Sequence, residues 1–317
     1  MRTLVTGASG FVGRYLVEAL RAQGAEVLAC GGPRDGSGPF LPLDLADAAA
    51  IRAALDIAKP DVVFHLAAQT FVPDSFASPL ATYETNVIGT ARLAAAVREY
   101  AAGGGPMPRI VFTSSAEVYG AREPGDFPLR ETLVPRPASP YAASKAAAEA
   151  ILLAETRGLG LDAVVARAFN HIGPGQSDRF VVASFAKQLA AIAAGAKPLL
   201  AVGNLSAARD FLDVRDVVAA YLALARDGES GAIYNVCSGT AIAIRDLLRE
   251  LITIAHVPVE VREDPERMRP ADVPVFVGSA EKLRARTGWR PAVQPVASLR
   301  EIYRAAREAA GKPASAS

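Results

Sequence analysis

Thr3-Leu4-Val5-Thr6-Gly7-Ala8-Ser9-Gly10-Phe11-Val12-Gly13 decides the fold of this chain. A short apolar run with β-forming residues feeds a glycine-rich turn, and the turn opens directly into a helical pattern. The glycines permit a tight turn and a close backbone approach, while the helix N-terminus offers free N–H groups to an anion. Strand, turn and helix in this order predict a dinucleotide site at Gly7, Gly10, Phe11, Val12 and Gly13. The spacing is Gly-x-x-Gly-x-x-Gly, one residue longer than the simplest dinucleotide fingerprint.

Outward from the loop, apolar runs at 3–6, 25–30, 61–65, 109–113 and 161–167 alternate with helix-period stretches at 11–23, 79–101 and 140–157. Near-continuous apolar strands separated by helices predict an α/β Rossmann-type, doubly wound parallel sheet. Beyond Ala168 the rhythm shortens around Gly173-Pro174-Gly175. This suggests a nucleotide-binding domain over 1–168, to which about 209–236 returns, and a smaller α/β substrate domain mainly over 169–317. The end from Gly311 reads as a frayed tail.

The 317 residues are 51% hydrophobic and 21% charged, with 34 basic and 33 acidic side chains. That is the composition of a globular protein with a sizeable core. No basic block suggests nucleic-acid binding, and no apolar run reaches the roughly 18 residues of a membrane span. Cys30 and Cys237 stand alone in apolar runs, which predicts buried thiols in a reducing compartment. With an N-terminus lacking a signal pattern, the expectation is a cytoplasmic protein. His65, His171 and His256 lack the spacing of a metal site, so no metal is expected.

Cofactor choice is read at the tip of the second strand, where NAD-selective sites place an acid. Here the tip reads Cys30-Gly31-Gly32-Pro33-Arg34. Without a carboxylate, a 2′-phosphate is tolerated and Arg34 can pair with it. A solvated loop arginine is an equal reading of that residue. NADP(H) is favoured, with NAD(H) also accommodated. Asp44 and Leu45 open the next loop, where they either meet the adenine edge or, for Asp44, cap a helix.

Tyr141-Ala142-Ala143-Ser144-Lys145 puts a phenol and an ammonium on one helical face. A nearby cation is expected to lower the phenol pKa and fit it for proton transfer. Ser115 ends the strand that begins near Arg109, at the sheet edge where ligands meet a doubly wound fold. A serine there can hydrogen-bond a carbonyl oxygen as charge develops on it.

The glycine loop, Ser115 and Tyr141-x-x-x-Lys145 together resemble the extended short-chain dehydrogenase/reductase (NAD-dependent epimerase/dehydratase) family. The likeness runs over almost the whole chain. His65-Leu66-Ala67-Ala68 is similar to the family segment beside the cofactor, which adds Leu66, Ala67 and Ala68 to the cofactor set; Asn86-Val87-Ile88-Gly89-Thr90 matches its Asn-x-x-Gly-Thr helix motif. The segments 167–176, 180–188, 209–214 and 234–239 resemble members acting on GDP-sugars. The resemblance implies a GDP-sugar partner bound by Asn170, Lys187, Arg209 and Arg269. It further implies a homodimer packed through the helices within 79–101 and 140–157, although their alanine richness suits packing inside one chain equally.

Two reactions fit. In a reductase, NAD(P)H reduces the C4 keto group of GDP-4-dehydro-6-deoxy-D-mannose to GDP-D-rhamnose. Tyr141 then gives the proton, Lys145 tunes it and holds the nicotinamide ribose, and Ser115 steadies the carbonyl. In a GDP-mannose 4,6-dehydratase, Glu117 would serve as base two residues beyond Ser115. Against that, Ala116 stands where dehydratases carry Ser or Asp, and the paired arginines after the second strand are lacking. The reductase reading is preferred. A non-catalytic nucleotide sensor is the third reading, which an intact Ser115, Tyr141 and Lys145 argue against.

Overall fold

A computed structural model of the chain describes residues 1–31, 40–265 and 274–311. Arg34, Arg269 and the tail beyond Gly311 lie outside the described residues.

A seven-stranded parallel sheet runs in the order β10-β6-β5-β4-β1-β2-β3. Its strands are β1 (Arg2–Thr6), β2 (Glu26–Gly31), β3 (Leu41–Pro42), β4 (Val62–His65), β5 (Arg109–Ser115), β6 (Asp162–Ala168) and β10 (Ile233–Val236). Burial of Thr3, Leu4, Val5 and Thr6 on both faces explains why β1 is continuously apolar or small. Helices α1 (Phe11–Ala22) and α8 (Val214–Asp227) cover one face. The other carries α2 (Ala48–Ala58), α5 (Gly89–Ala102) and α6 (Pro140–Leu159). The order in which strands are added reverses between β1 and β4, which run parallel, so the crevice above their C-terminal ends is the natural ligand position.

The expected helix over 79–101 is divided. Short helices α3 (Val72–Ala77) and α4 (Pro79–Tyr83) lead into a π-turn at Glu84–Ile88, and α5 follows. A helix does follow the Asp44 loop, but as α2 it begins only at Ala48. Asp47 caps it by accepting from Ala50 N–H at 2.9 Å. Helix α6 has sharp ends: Ser139 accepts from Ala142 N–H at 3.1 Å, Pro140 takes the first turn, and Gly160 closes it at φ 73°.

The later chain builds a second cluster. Strands β7 (Asn170–Ile172), β9 (Ala208–Asp213), β11 (Ala241–Ala243) and β13 (Val275–Phe276) form one small sheet. Strands β8 (Leu199–Val202) and β12 (Glu260–Glu263) form another. Helices α7 (Val181–Ala193), α9 (Ile244–Ala255) and α11 (Pro295–Ala310) surround a separate core there. Helix α10 (Glu281–Thr287) packs back on β10 and α8. No described helix is long and apolar enough to cross a membrane.

Candidate active site

The glycine loop sits at the reversal point of the sheet. A Cβ on Gly7 would lie 2.6 Å from the Ala67 nitrogen, and Gly7 adopts φ 71°. At Gly13 it would lie 2.2 Å from the Gly7 carbonyl oxygen. Both positions therefore require glycine. Gly10 precedes helix α1 and offers no side-chain cap, and the first turn of the helix carries no acid. Its leading N–H groups present positive potential without a competing side chain, which is the cradle a pyrophosphate fits. Phe11 is fixed behind the loop by stacking on His171 at 6.0 Å and edge contact with Tyr15 at 5.7 Å.

Leu66-Ala67-Ala68 passes over this loop, held by a directed chain of hydrogen bonds. Thr90 Oγ1 donates to the Asn86 carbonyl at 2.6 Å, so it accepts from His65 Nε2 at 3.0 Å. Thr6 Oγ1 then donates to His65 Nδ1 at 2.8 Å and accepts from Ala67 N–H at 3.2 Å. Burial and the Lys145 charge hold the imidazole neutral, with its pKa down to about 3. His65 is thus an orienting group.

Asn86, in the π-turn, joins this loop to α6. Its Nδ2 donates to the Gln69 carbonyl and to Ser144 Oγ, both at 2.9 Å, and its Oδ1 accepts from Gln69 N–H at 2.8 Å. Ser144 Oγ donates to the Tyr141 carbonyl at 2.7 Å. The sequence motif singled out Asn86 without a role. What it does depends on a helical irregularity that periodicity does not reveal.

Ser115, Tyr141 and Lys145 converge at the C-terminal end of β5, all three buried. Ser115 Oγ accepts from Glu117 N–H at 3.2 Å and bears on the neighbouring Tyr141 phenol. Lys145 Nζ donates to the Thr113 carbonyl at 2.9 Å and lies 4.9 Å from the Phe112 ring centre. The expected lowering of the phenol pKa by the ammonium is corrected here. Burial raises Tyr141 to about 12, with Ser115 pulling down and the Glu117 charge pushing up. Lys145 is itself brought down to about 8, because a dry site disfavours the ammonium. Near neutrality the set is therefore a protonated phenol above a protonated lysine, suited to giving a proton. Glu117 is exposed and bears on this set through its charge.

The residues expected to meet the diphosphate are held more loosely. Asn170 is exposed, and its amide donates to the Asp210 carbonyl at 3.4 Å. Arg209 donates to the Ala208 carbonyl at 2.9 Å. Beside it, buried Asp210 accepts from Ser238 and Gly239 N–H at 2.7 and 2.9 Å, locking the strand end. Lys187 pairs with Asp178 at the surface. Asp44 is exposed and accepts from Ala46 N–H at 2.9 Å, a local turn; the helix cap is Asp47. Leu45 is buried against Gly89, where a Cβ would lie 2.8 Å from its own. Cys30 and Cys237 are free and buried. Among the described residues no group of three or more His, Cys, Asp or Glu is arranged to hold a metal ion.

Residues 4–302 match the family model described as GDP-mannose 4,6 dehydratase. The chain belongs to the GDP-mannose 4,6-dehydratase family. Its relatives within and around that family differ in reaction. The chain is 41% identical to GDP-6-deoxy-D-mannose reductase of Pseudomonas aeruginosa over 302 residues, 95% of each chain. It superposes on RMD from Pseudomonas aeruginosa complexed with NADPH with a TM-score of 0.88 and 39% identity, covering 98% of this chain and 100% of the other. A UDP-glucose 4-epimerase from Thermus thermophilus in complex with NAD gives 0.86 at 34% identity, covering 98% and 100%. These neighbours confirm the Rossmann-type α/β fold expected from the glycine loop.

Proposed function

We propose that this family member is an NAD(P)-dependent sugar-nucleotide oxidoreductase that reduces the C4 keto group of GDP-4-dehydro-6-deoxy-D-mannose, giving GDP-D-rhamnose. The observation that carries the reading is the gathering of buried Ser115, Tyr141 and Lys145 where the end of β5 meets α6. A hydroxyl, a phenol and an ammonium so placed can steady a carbonyl oxygen and hand it a proton, which reduction requires. The full-length similarity to a reductase supports the same direction.

NADPH, held at Gly7, Gly10, Phe11, Val12 and Gly13 and flanked by Leu66, Ala67 and Ala68, supplies the hydride when bound. The uncapped N-terminus of α1 takes the pyrophosphate charge. Lys145 holds the nicotinamide ribose. Ser115 donates a hydrogen bond to the C4 oxygen and steadies charge developing on it. Tyr141 delivers the proton to the same oxygen. Glu117 bears on Tyr141 through its charge alone and does not act as base in this reaction. Arg209 and Asn170 take the diphosphate, where a planar guanidinium suits paired phosphate oxygens. Arg34 and Arg269 are assigned to the 2′-phosphate and to the nucleotide. NADPH is the preferred cofactor on the acid-free tip after Cys30.

The decisive experiment supplies the purified protein with the keto sugar nucleotide and NADPH, and follows nicotinamide absorbance and product NMR. Oxidation of NADPH with formation of the 6-deoxy sugar is expected. Conversion of GDP-mannose to the keto sugar without added cofactor would overturn the reading in favour of a dehydratase using Glu117, the alternative that the family description supports.

A second copy of the chain is the expected partner. Phe76 on α3 and Leu80 on α4 are 60% and 81% exposed, and both short helices pack against α6, one of the helices expected at the dimer interface. A monomeric mass in solution would remove this assembly. The free thiols suit a cytoplasmic setting.

A further inference from the structure

Helix α6 carries a file of buried ionisable side chains at four-residue spacing: Tyr141, Lys145 and Glu149. The first two belong to the site described above; the third has no part in it. Glu149 is only 3% exposed. Its carboxylate accepts from Arg167 Nε at 3.0 Å and Nη2 at 2.7 Å, and from Ser114 Oγ at 2.5 Å. Ser114 precedes Ser115 on β5, and Arg167 comes from β6. The Arg167 guanidinium packs 4.8 Å from the centre of the Tyr119 ring, whose hydroxyl donates to Asn235 Oδ1 on β10 at 2.7 Å. One carboxylate thus ties the helix bearing Tyr141 and Lys145 to the strand end bearing Ser115.

Stability is a poor reason for such a pair. A buried ion pair loses hydration that its attraction barely offsets, and apolar side chains of similar volume often do as well. We infer that Glu149 is a positioning residue for the reaction, clamping the end of β5 to α6 and setting a negative charge one turn beneath the Lys145 ammonium. The inference rests on the reductase reading.

The groups facing Lys145 can be named from each element. Helix α6 contributes Tyr141 and Glu149, β4 contributes neutral His65, and β5 contributes the Thr113 carbonyl and the Phe112 ring. Arg167 of β6 faces Glu149. Desolvation pulls the Lys145 pKa down, and the Glu149 charge opposes it. Without that charge Lys145 gives up its proton at lower pH. The alkaline limb of kcat must then move down.

The test compares wild type with Glu149→Gln and with the charge-free pair Glu149→Gln/Arg167→Met, by kcat against pH and by melting temperature. In Glu149→Gln the alkaline limb is expected to fall by about one pH unit. The double variant should recover melting temperature while keeping a lowered limb. A uniform loss at every pH with the limb unmoved, or a double variant with the wild-type limb, would make the pair merely structural and overturn the inference. Should wild type not reduce the keto sugar at all, the reductase reading fails separately. Titration of Lys145 Nζ by NMR in wild type and Glu149→Gln then decides the matter: a lower value in the variant supports the inference, and an unchanged value overturns it.

Discussion

The two groups of candidate site residues are built differently. On the α6–β5 side Ser115, Tyr141 and Lys145 are buried, Lys145 is tied to Thr113, and the neighbouring Asn86 is tied to Gln69 and Ser144. On the side of β7, β9 and α7, Asn170 is exposed with a long contact, and Lys187 is 71% exposed in a surface pair. A proton must be handed over along a fixed line, so its donor is preorganised in a dry pocket. A flexible diphosphate can be gathered by side chains that settle on it. Rigidity is concentrated where chemistry requires it.

That contrast can be broken from either side. The largest effect belongs to Tyr141→Phe, which removes the proton donor without disturbing packing. Turnover should drop by about 100- to 10,000-fold, with NADPH affinity by fluorescence titration nearly unchanged. Near-normal turnover would take Tyr141 out of the mechanism. Arg209→Ala tests the other group: KM for the sugar nucleotide should rise about 10- to 100-fold with kcat little altered, as for a lost charge-assisted hydrogen bond. An equal fall in kcat would mean that this group is preorganised too.

Asn86→Ala removes hydrogen bonds from a buried junction and should cost about 1–3 kcal/mol in denaturant unfolding, with a lower kcat. Were activity to survive intact, the link between the Gln69 loop and α6 would be structural only. The smallest effect is expected at Glu117. Its charge raises the Tyr141 pKa, so Glu117→Gln lowers that pKa. The phenol remains protonated at neutral pH all the same. Reduction should stay within about fivefold of wild type, the range of an exposed charge. Complete loss would bring back the dehydratase.

Much of this was legible in the sequence, and unevenly so. The glycine loop and β1 declare themselves because sterics at Gly7 and Gly13 admit no other residue, and because a strand buried on both faces reads as one apolar run. Tyr141 and Lys145 share a face by helical spacing, but it took Ser115 at the neighbouring strand end, and the family resemblance, to single them out. The sign of the phenol shift was not legible: the spacing announces the neighbouring cation, whereas desolvation depends on everything packed above it. Asp44 and Asp47 show the same limit at small scale, since two acids three residues apart compete for one cap and only geometry selects the second. The Glu149–Arg167 pair joins a helix to the next strand, and no local pattern marks it. Arg34 and Arg269 lie beyond the described residues.

One feature of the topology bears on how the chain can be taken apart. The last strand of the main sheet, β10, arrives only after β7, β8 and β9 have been laid down elsewhere, and the chain leaves again for β11 before returning through α10. The smaller cluster is therefore stitched into the larger sheet, not appended to it. It cannot be trimmed off or transplanted as a cassette: truncation after Ala168 would remove β10 and leave β6 as a raw edge. Swapping substrate specificity between relatives must accordingly proceed side chain by side chain along the cleft.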